Sequence, residues 1–77
     1  MKVTLESTSK IVDLVLNGQT VSARVWEGTT ERGIACHAYI PRIAVALDAD
    51  AAEFERELME CRRPSPAIDA IPARLVG

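Results

Sequence analysis

Asn17-Gly18 constrains this chain more than any other pair of residues. Both types accept the positive φ angles that a type I′ turn requires. The pair stands between two apolar runs: Ile11, Val12, Leu14, Val15 and Leu16 before it, and Val21, Ala23 and Val25 after it. Their short length and β-branched content favour strands over helices. The two runs therefore read as the arms of an antiparallel hairpin. Strand side chains alternate between faces, so Val21, Ala23 and Val25 face the core, and Arg24 and Trp26 share the other side.

The flanking segments extend that hairpin. Residues 2–6 form a short first strand or a frayed arm, and Ser7-Thr8-Ser9 is a polar break before Lys10. Gly28 through Gly33 is polar and bounded by glycines, which reads as a loop to another antiparallel strand. From Ile34 the pattern alternates again. Ile34, Cys36, Ala38 and Ile40 point one way, and Ala35, His37 and Tyr39 the other. Pro41 has no N–H for a ladder, so it marks an edge, a bulge or a strand break. Ile43, Val45 and Leu47 then carry the apolar set on odd numbers, a switch that one extra residue near Pro41 would produce.

Asp50-Ala51-Ala52-Glu53 fits a capping box, with Asp48 as a rival N-cap. The helix it opens is expected from about Ala51 to about Arg62, before Pro64. Its buried stripe would be Ala51, Phe54, Leu58 and Cys61. Ser65-Pro66 can start one further turn, Pro72 ends it, and Ala73 to Val76 can add a short edge strand. The fold class expected is α+β: a three- to four-stranded antiparallel sheet with one helix packed on one face, and the other face uncovered.

Length and composition bound this picture. The 77 residues make one small domain, 1–77. With 48% hydrophobic but only 4% aromatic residues, its core must come from Val, Ile, Leu and Ala. Nine basic and eleven acidic residues give a formal charge of -2, which lacks the basic footprint of a nucleic-acid binder. No apolar run is long enough to span a membrane. The first residues lack the apolar segment of a signal peptide, so an intracellular, cytoplasmic protein is expected. Cys36 and Cys61 read as reduced core thiols. One histidine and no paired cysteine motif give no metal site, and no motif calls for a cofactor or small-molecule substrate.

No catalytic constellation stands out in the sequence. His37 has no nucleophile at a motif spacing, and no phosphate loop is present, so no catalytic residue is assigned and no enzyme is expected. Two candidate partner-binding surfaces remain. The first is the open sheet face, where Arg24 and Trp26 on one strand would meet His37 and Tyr39 on the next, with Arg42 close by. Trp, Tyr and Arg dominate binding hot spots, and the same set can stack single-stranded bases. The plain alternative is that Trp26 and Tyr39 cover the sheet edge or pack under the C-terminal tail. The second is an acidic helix stripe, Glu53, Glu57 and Glu60, which a solvated helix face also explains.

Several segments carry a family resemblance: Ser7-Thr8-Ser9-Lys10-Ile11-Val12, Ala23-Arg24-Val25-Trp26-Glu27-Gly28-Thr29-Thr30, His37-Ala38-Tyr39-Ile40, Phe54-Glu55-Arg56-Glu57-Leu58 and Ile71-Pro72-Ala73-Arg74-Leu75. Together they resemble small phage and prophage proteins among which are anti-CRISPR inhibitors of type I systems, including subtype I-C. None of these segments encodes chemistry. The resemblance implies a stoichiometric inhibitor, monomeric or dimeric, in the host bacterial cytoplasm. Its partner would be a subunit of a type I CRISPR surveillance complex. The expected block is on target-DNA binding, and after that on recruitment of the helicase-nuclease. The alternative is a small phage accessory protein, binding nucleic acid through the aromatic/Arg face or acting in assembly.

Overall fold

The Asn17-Gly18 turn forms as expected in the computed structural model, which describes all 77 residues: the two φ angles are 52° and 77°. It joins β1 (Val3–Leu16) to an antiparallel β2 (Gln19–Thr30). Both strands run further than the apolar runs alone suggested, because β1 absorbs the Ser7-Thr8-Ser9 break as a bulge. Pairing steps from Ser7 opposite Trp26 to Ile11 opposite Arg24, which leaves three β1 residues facing Val25 alone. Thr8 fastens the bulge. Its side chain is fully buried, with Oγ1 donating to the Val25 carbonyl at 2.6 Å and accepting from the Lys10 N–H at 3.2 Å. Arg24 Nη1 donates to the Thr8 carbonyl at 2.7 Å. The surplus residues therefore sharpen the bend and twist of the sheet without leaving these polar groups unpaired.

A three-residue loop, Glu31-Arg32-Gly33, closed by Thr30 and Ile34, leads to β3 (Ala35–Ile40). The Gly33 N–H donates to the Thr30 carbonyl at 3.0 Å, and the Thr30 N–H donates to the Ile34 carbonyl at 2.9 Å. Gly33 has φ +83°, the left-handed residue that closes a three-residue hairpin of this kind. β3 stops at Pro41, as its missing donor demands. Ile43, Val45 and Leu47 form no strand, so the parity switch expected near Pro41 has no bulge behind it.

Helix α1 spans Ala51–Leu58, capped by Asp50 Oδ1, which accepts from the Glu53 N–H at 3.1 Å. Only half of the capping box forms, because the Glu53 carboxylate pairs with Arg56 instead of reaching back. The helix ends four residues short of Arg62, and a competing backbone pairing explains the early stop. The Arg62 N–H donates to the Ser7 carbonyl at 3.1 Å, and its carbonyl accepts from the Ser9 N–H at 2.9 Å. The residues expected as the last helical turn thus serve the bulged edge of β1.

A short helix, α2 (Pro66–Asp69), and a final strand, β4 (Arg74–Val76), complete the chain. β4 pairs with β1 in parallel over Asp13–Val15, giving the order β3-β2-β1-β4. The sheet is therefore mixed and curls into a half-barrel with a short helix, an α+β arrangement and not the purely antiparallel sheet expected. No helix is long and apolar enough to cross a membrane.

The core is small. Val12, Ala23, Val25 and Ile68 are each at most 5% exposed, with Leu14, Tyr39, Ile71 and Leu75 packed around them. Ala23 and Val25 thus lie inside as their alternation predicts, while Val21, nearest the turn, is exposed. What covers them is the C-terminal segment, not α1. The expected stripe on α1 fails accordingly: Phe54 is half-buried, whereas Ala51, Leu58 and Cys61 are exposed. Cys36 is half-buried and Cys61 exposed, so neither thiol is a core residue. Both sheet faces carry an element, with α2 and the tail on one side and α1 across the other.

Candidate functional site

Hairpin parity decides which side chains meet. Across β2 and β3, Arg24 stands opposite Ile40, Val25 opposite Tyr39, Trp26 opposite Ala38, and Glu27 opposite His37. Directly opposed residues share a face. Arg24 and Trp26 therefore lie on one face, and His37 and Tyr39 lie on the other. The single aromatic and arginine face expected from the sequence does not exist, and its members form two separate pairs.

The His37 and Tyr39 pair belongs to the core side. Tyr39 is half-buried against the Val12, Val25 and Ile68 cluster. Its hydroxyl lies 3.2 Å from His37 Nε2, and the rings meet edge to face with centroids 5.4 Å apart. Packing near the C-terminal segment, the plain alternative, describes Tyr39. Its removal is therefore a stability change first. Arg42 is exposed beyond the Pro41 break and joins neither pair.

Beside them, Glu27 anchors the C-terminal segment to the sheet. Glu27 Oε1 accepts from the Ser65 Oγ–H, and Oε2 accepts from the Ser65 N–H, both at 2.7 Å. Arg62 Nη1 donates to the same carboxylate at 3.0 Å, and Arg62 Nε lies 3.6 Å from Glu6. Only 12% of the Glu27 side chain is exposed. The backbone and hydroxyl donors of Ser65, helped by the Arg62 charge, hold the Glu27 carboxyl below its ordinary value. Ser65 is the N-cap residue of α2, but its hydroxyl is committed to Glu27 and makes no capping bond.

The sign of the resulting pH dependence follows by linkage. A folded pKa below the unfolded one means that the clasp stabilises the fold in full above the ordinary carboxylate range. That contribution is lost as pH falls from the ordinary 4.5 through the lower folded value. The wild-type melting temperature should therefore drop on acidification across that window. Glu27→Gln should melt lower at neutral pH and show a flatter acid limb. Parallel acid limbs in the two proteins would remove Glu27 from this role.

The Arg24 and Trp26 pair lies under α1. A cleft of about 270 Å³ opens between sheet and helix, walled by Trp26, Ile40, Ile43, Phe54 and Leu58, with Ser7, Arg24 and Glu57 at its polar margin. A second cleft that also borders Trp26 is lined by Glu6, Glu57, Glu60 and Arg62, together with Ser7 and Cys61. The half-buried indole thus borders both an apolar cleft and an acidic one. The expected acidic stripe is also redistributed. Glu53 is paired with Arg56, Glu60 lies past the end of α1, and Glu57 belongs to both clefts. Sequence patterning places Phe54, Ile40, Ile43 and Leu58 in apolar sets and marks none of them as a site residue. The one available signal is Phe54, the only phenylalanine and the largest side chain of the expected helix stripe.

No three His, Cys, Asp or Glu side chains stand together in a metal-holding group. Comparison with known proteins finds no family model, no curated protein and no solved structure that matches this chain.

Proposed function

We propose that this protein is a stoichiometric inhibitor that works by docking, without chemistry of its own. Its partner is a type I CRISPR surveillance complex, and the docked state blocks target-DNA binding. The partner comes from the sequence resemblance. The docking role is supported by one observation, the apolar cleft beside Trp26. Its rim holds large side chains turned to water, with Ile43 at 43% and Leu58 at 40% exposure. Apolar surface gathered around a tryptophan and edged by charge is what contact hot spots are made of. The division of the aromatic residues between two faces weakens the alternative of base stacking, which needs adjacent platforms on one surface.

The test is binding to a purified type I-C surveillance complex, with and without bound target DNA. The free complex should capture the protein in fixed stoichiometry, and prior loading with DNA should prevent capture. Trp26→Ala, checked for folding by its melting curve, should weaken capture by about 2 kcal/mol or more, the scale of a hot-spot tryptophan. Capture that leaves DNA binding intact would move the block to helicase-nuclease recruitment. Absence of capture under either condition would reject the proposed partner. Direct, steeply salt-dependent binding to single-stranded DNA would favour the accessory reading instead.

A further inference from the structure

We propose that the two clefts bordering Trp26 form one composite receptor for a protein segment that presents an apolar side chain next to a Lys or Arg. This deepens the docking role proposed above and rests on it, but it assigns the partner's chemistry independently of the partner's identity. The apolar half is set by Phe54, Ile40 and Ile43, which leave about 270 Å³ open, enough for a leucine-sized or larger side chain. The other half holds the carboxylates of Glu6, Glu57 and Glu60. The only cation lining it, Arg62, is already bonded to Glu27 and lies near Glu6. An approaching cation therefore meets an excess of negative charge. Glu57 borders both halves, which fixes the basic residue adjacent to the apolar anchor.

The placement of charge also sets a direction. Arg24 borders the apolar cleft, and its Nη1 is held by the Thr8 carbonyl. A partner cation is repelled there and attracted to the Glu60 side. A second copy docking through this same surface is a poor match, although Lys10-Ile11 and Arg42-Ile43 do set an exposed apolar residue beside a basic one. Its exposed apolar residues on α1 and the following turn, Leu58 and Met59, stand next to Glu57 and Glu60, so two such surfaces would oppose acid to acid.

Trp26 is the only tryptophan, so its fluorescence and its indole N–H resonance report on the site directly. The full chain would be titrated with the capped tripeptide Arg-Leu-Arg, and in parallel with Arg-Ser-Arg and Glu-Leu-Glu. The expected result is saturable, millimolar-range binding of Arg-Leu-Arg at Trp26, Phe54 and Glu57, as befits so small a probe. Each of the other two peptides should bind at least about fivefold more weakly. Raising salt from about 50 mM to about 500 mM should weaken the first peptide by a similar factor. Glu57→Gln combined with Glu60→Gln, both exposed and free of side-chain bonds in the structure, should do the same without shifting the melting curve.

Equal responses to all three peptides, or none, would overturn the assignment. So would concentration-dependent shifts at these residues without peptide, which would give the clefts to a second copy. Failure of the assignment and failure of the docking role separate cleanly. Capture of the surveillance complex undiminished by the double Gln variant rejects the cleft and keeps the role. Selective peptide binding without capture keeps the cleft and rejects the partner.

Discussion

Gly28→Ala should unfold most of the β1–β2 hairpin beyond the bulge, although the substitution adds a single methyl group. A Cβ at this position would lie 2.9 Å from the Thr4 carbonyl carbon and 3.0 Å from Leu5 Cα, and closer still to the Thr4 carbonyl oxygen. These are backbone atoms of the paired strand, so no side chain can swing aside. Relief requires β1 and β2 to separate between Val3–Thr30 and Ser7–Trp26, where the ladder is formed. Elsewhere in a strand, replacing Gly by Ala gains about 0.5–1 kcal/mol from chain entropy. Here overpacking should outweigh that gain by about 1–3 kcal/mol or more. A domain with so small a core has only a few kcal/mol in total. The expected outcome is a large fall in the urea midpoint, with fast amide exchange over Val3–Ser7. Gly18→Ala is the comparison, because a Cβ there meets nothing within 4 Å and suffers only from its positive φ. A Gly28→Ala protein as stable as wild type would mean that the strands are not held this close.

The sequence announced the hairpin and concealed the site, for one physical reason. Local signals such as Asn17-Gly18, Pro41 and the Asp50 cap act within a few residues, and each marks a boundary the structure contains. Which faces meet depends on counting across a loop. A six-residue loop over Gly28–Gly33 pairs even positions with odd ones, which would unite Trp26 with His37 and Tyr39. The actual loop of three residues pairs even with even, and the union dissolves. Composition cannot reveal that Gly28 and Thr29 continue the strand, since glycine there records close contact with Thr4 and not a turn.

The parallel pairing of β4 and the tail's command of the core were hidden for a related reason. They rest on contacts between residues dozens of positions apart: Glu27 with Ser65, Ser7 and Ser9 with Arg62, and Val12 and Val25 with Ile68. No periodicity encodes such pairs. The same clasp places Arg62 and Cys61 at the second cleft and ends α1 where it does. The geometry around Trp26 is therefore set partly by a polar contact on the opposite face of the sheet. Variants of Glu27 should accordingly alter the exchange of amides near Arg62 as well as overall stability.

Ile68→Ala should be the most damaging truncation in the C-terminal half. Ile68 is 5% exposed and is the sole buried residue that the segment after β3 supplies. Helix α2 has only four residues, too short to persist on its own propensity, so its structure depends on this side chain reaching Val12 and Val25. Truncation should cost about 2–5 kcal/mol, and the loss should spread along the tail. The Asp13 N–H bond to the Ala73 carbonyl and the Gly77 N–H bond to the Val15 carbonyl hold β4 in place, and both should become exchange-labile. As Ser65 withdraws its two donors, the Glu27 carboxyl should rise back toward its ordinary range. Met59→Ala, at a side chain 84% exposed, removes comparable volume from the same half of the chain and should change little. Equal melting temperatures for the two variants would show that the tail is a passive cover. A selective collapse in Ile68→Ala, with Glu27 titrating normally, would establish that the last dozen residues close the core and complete the sheet.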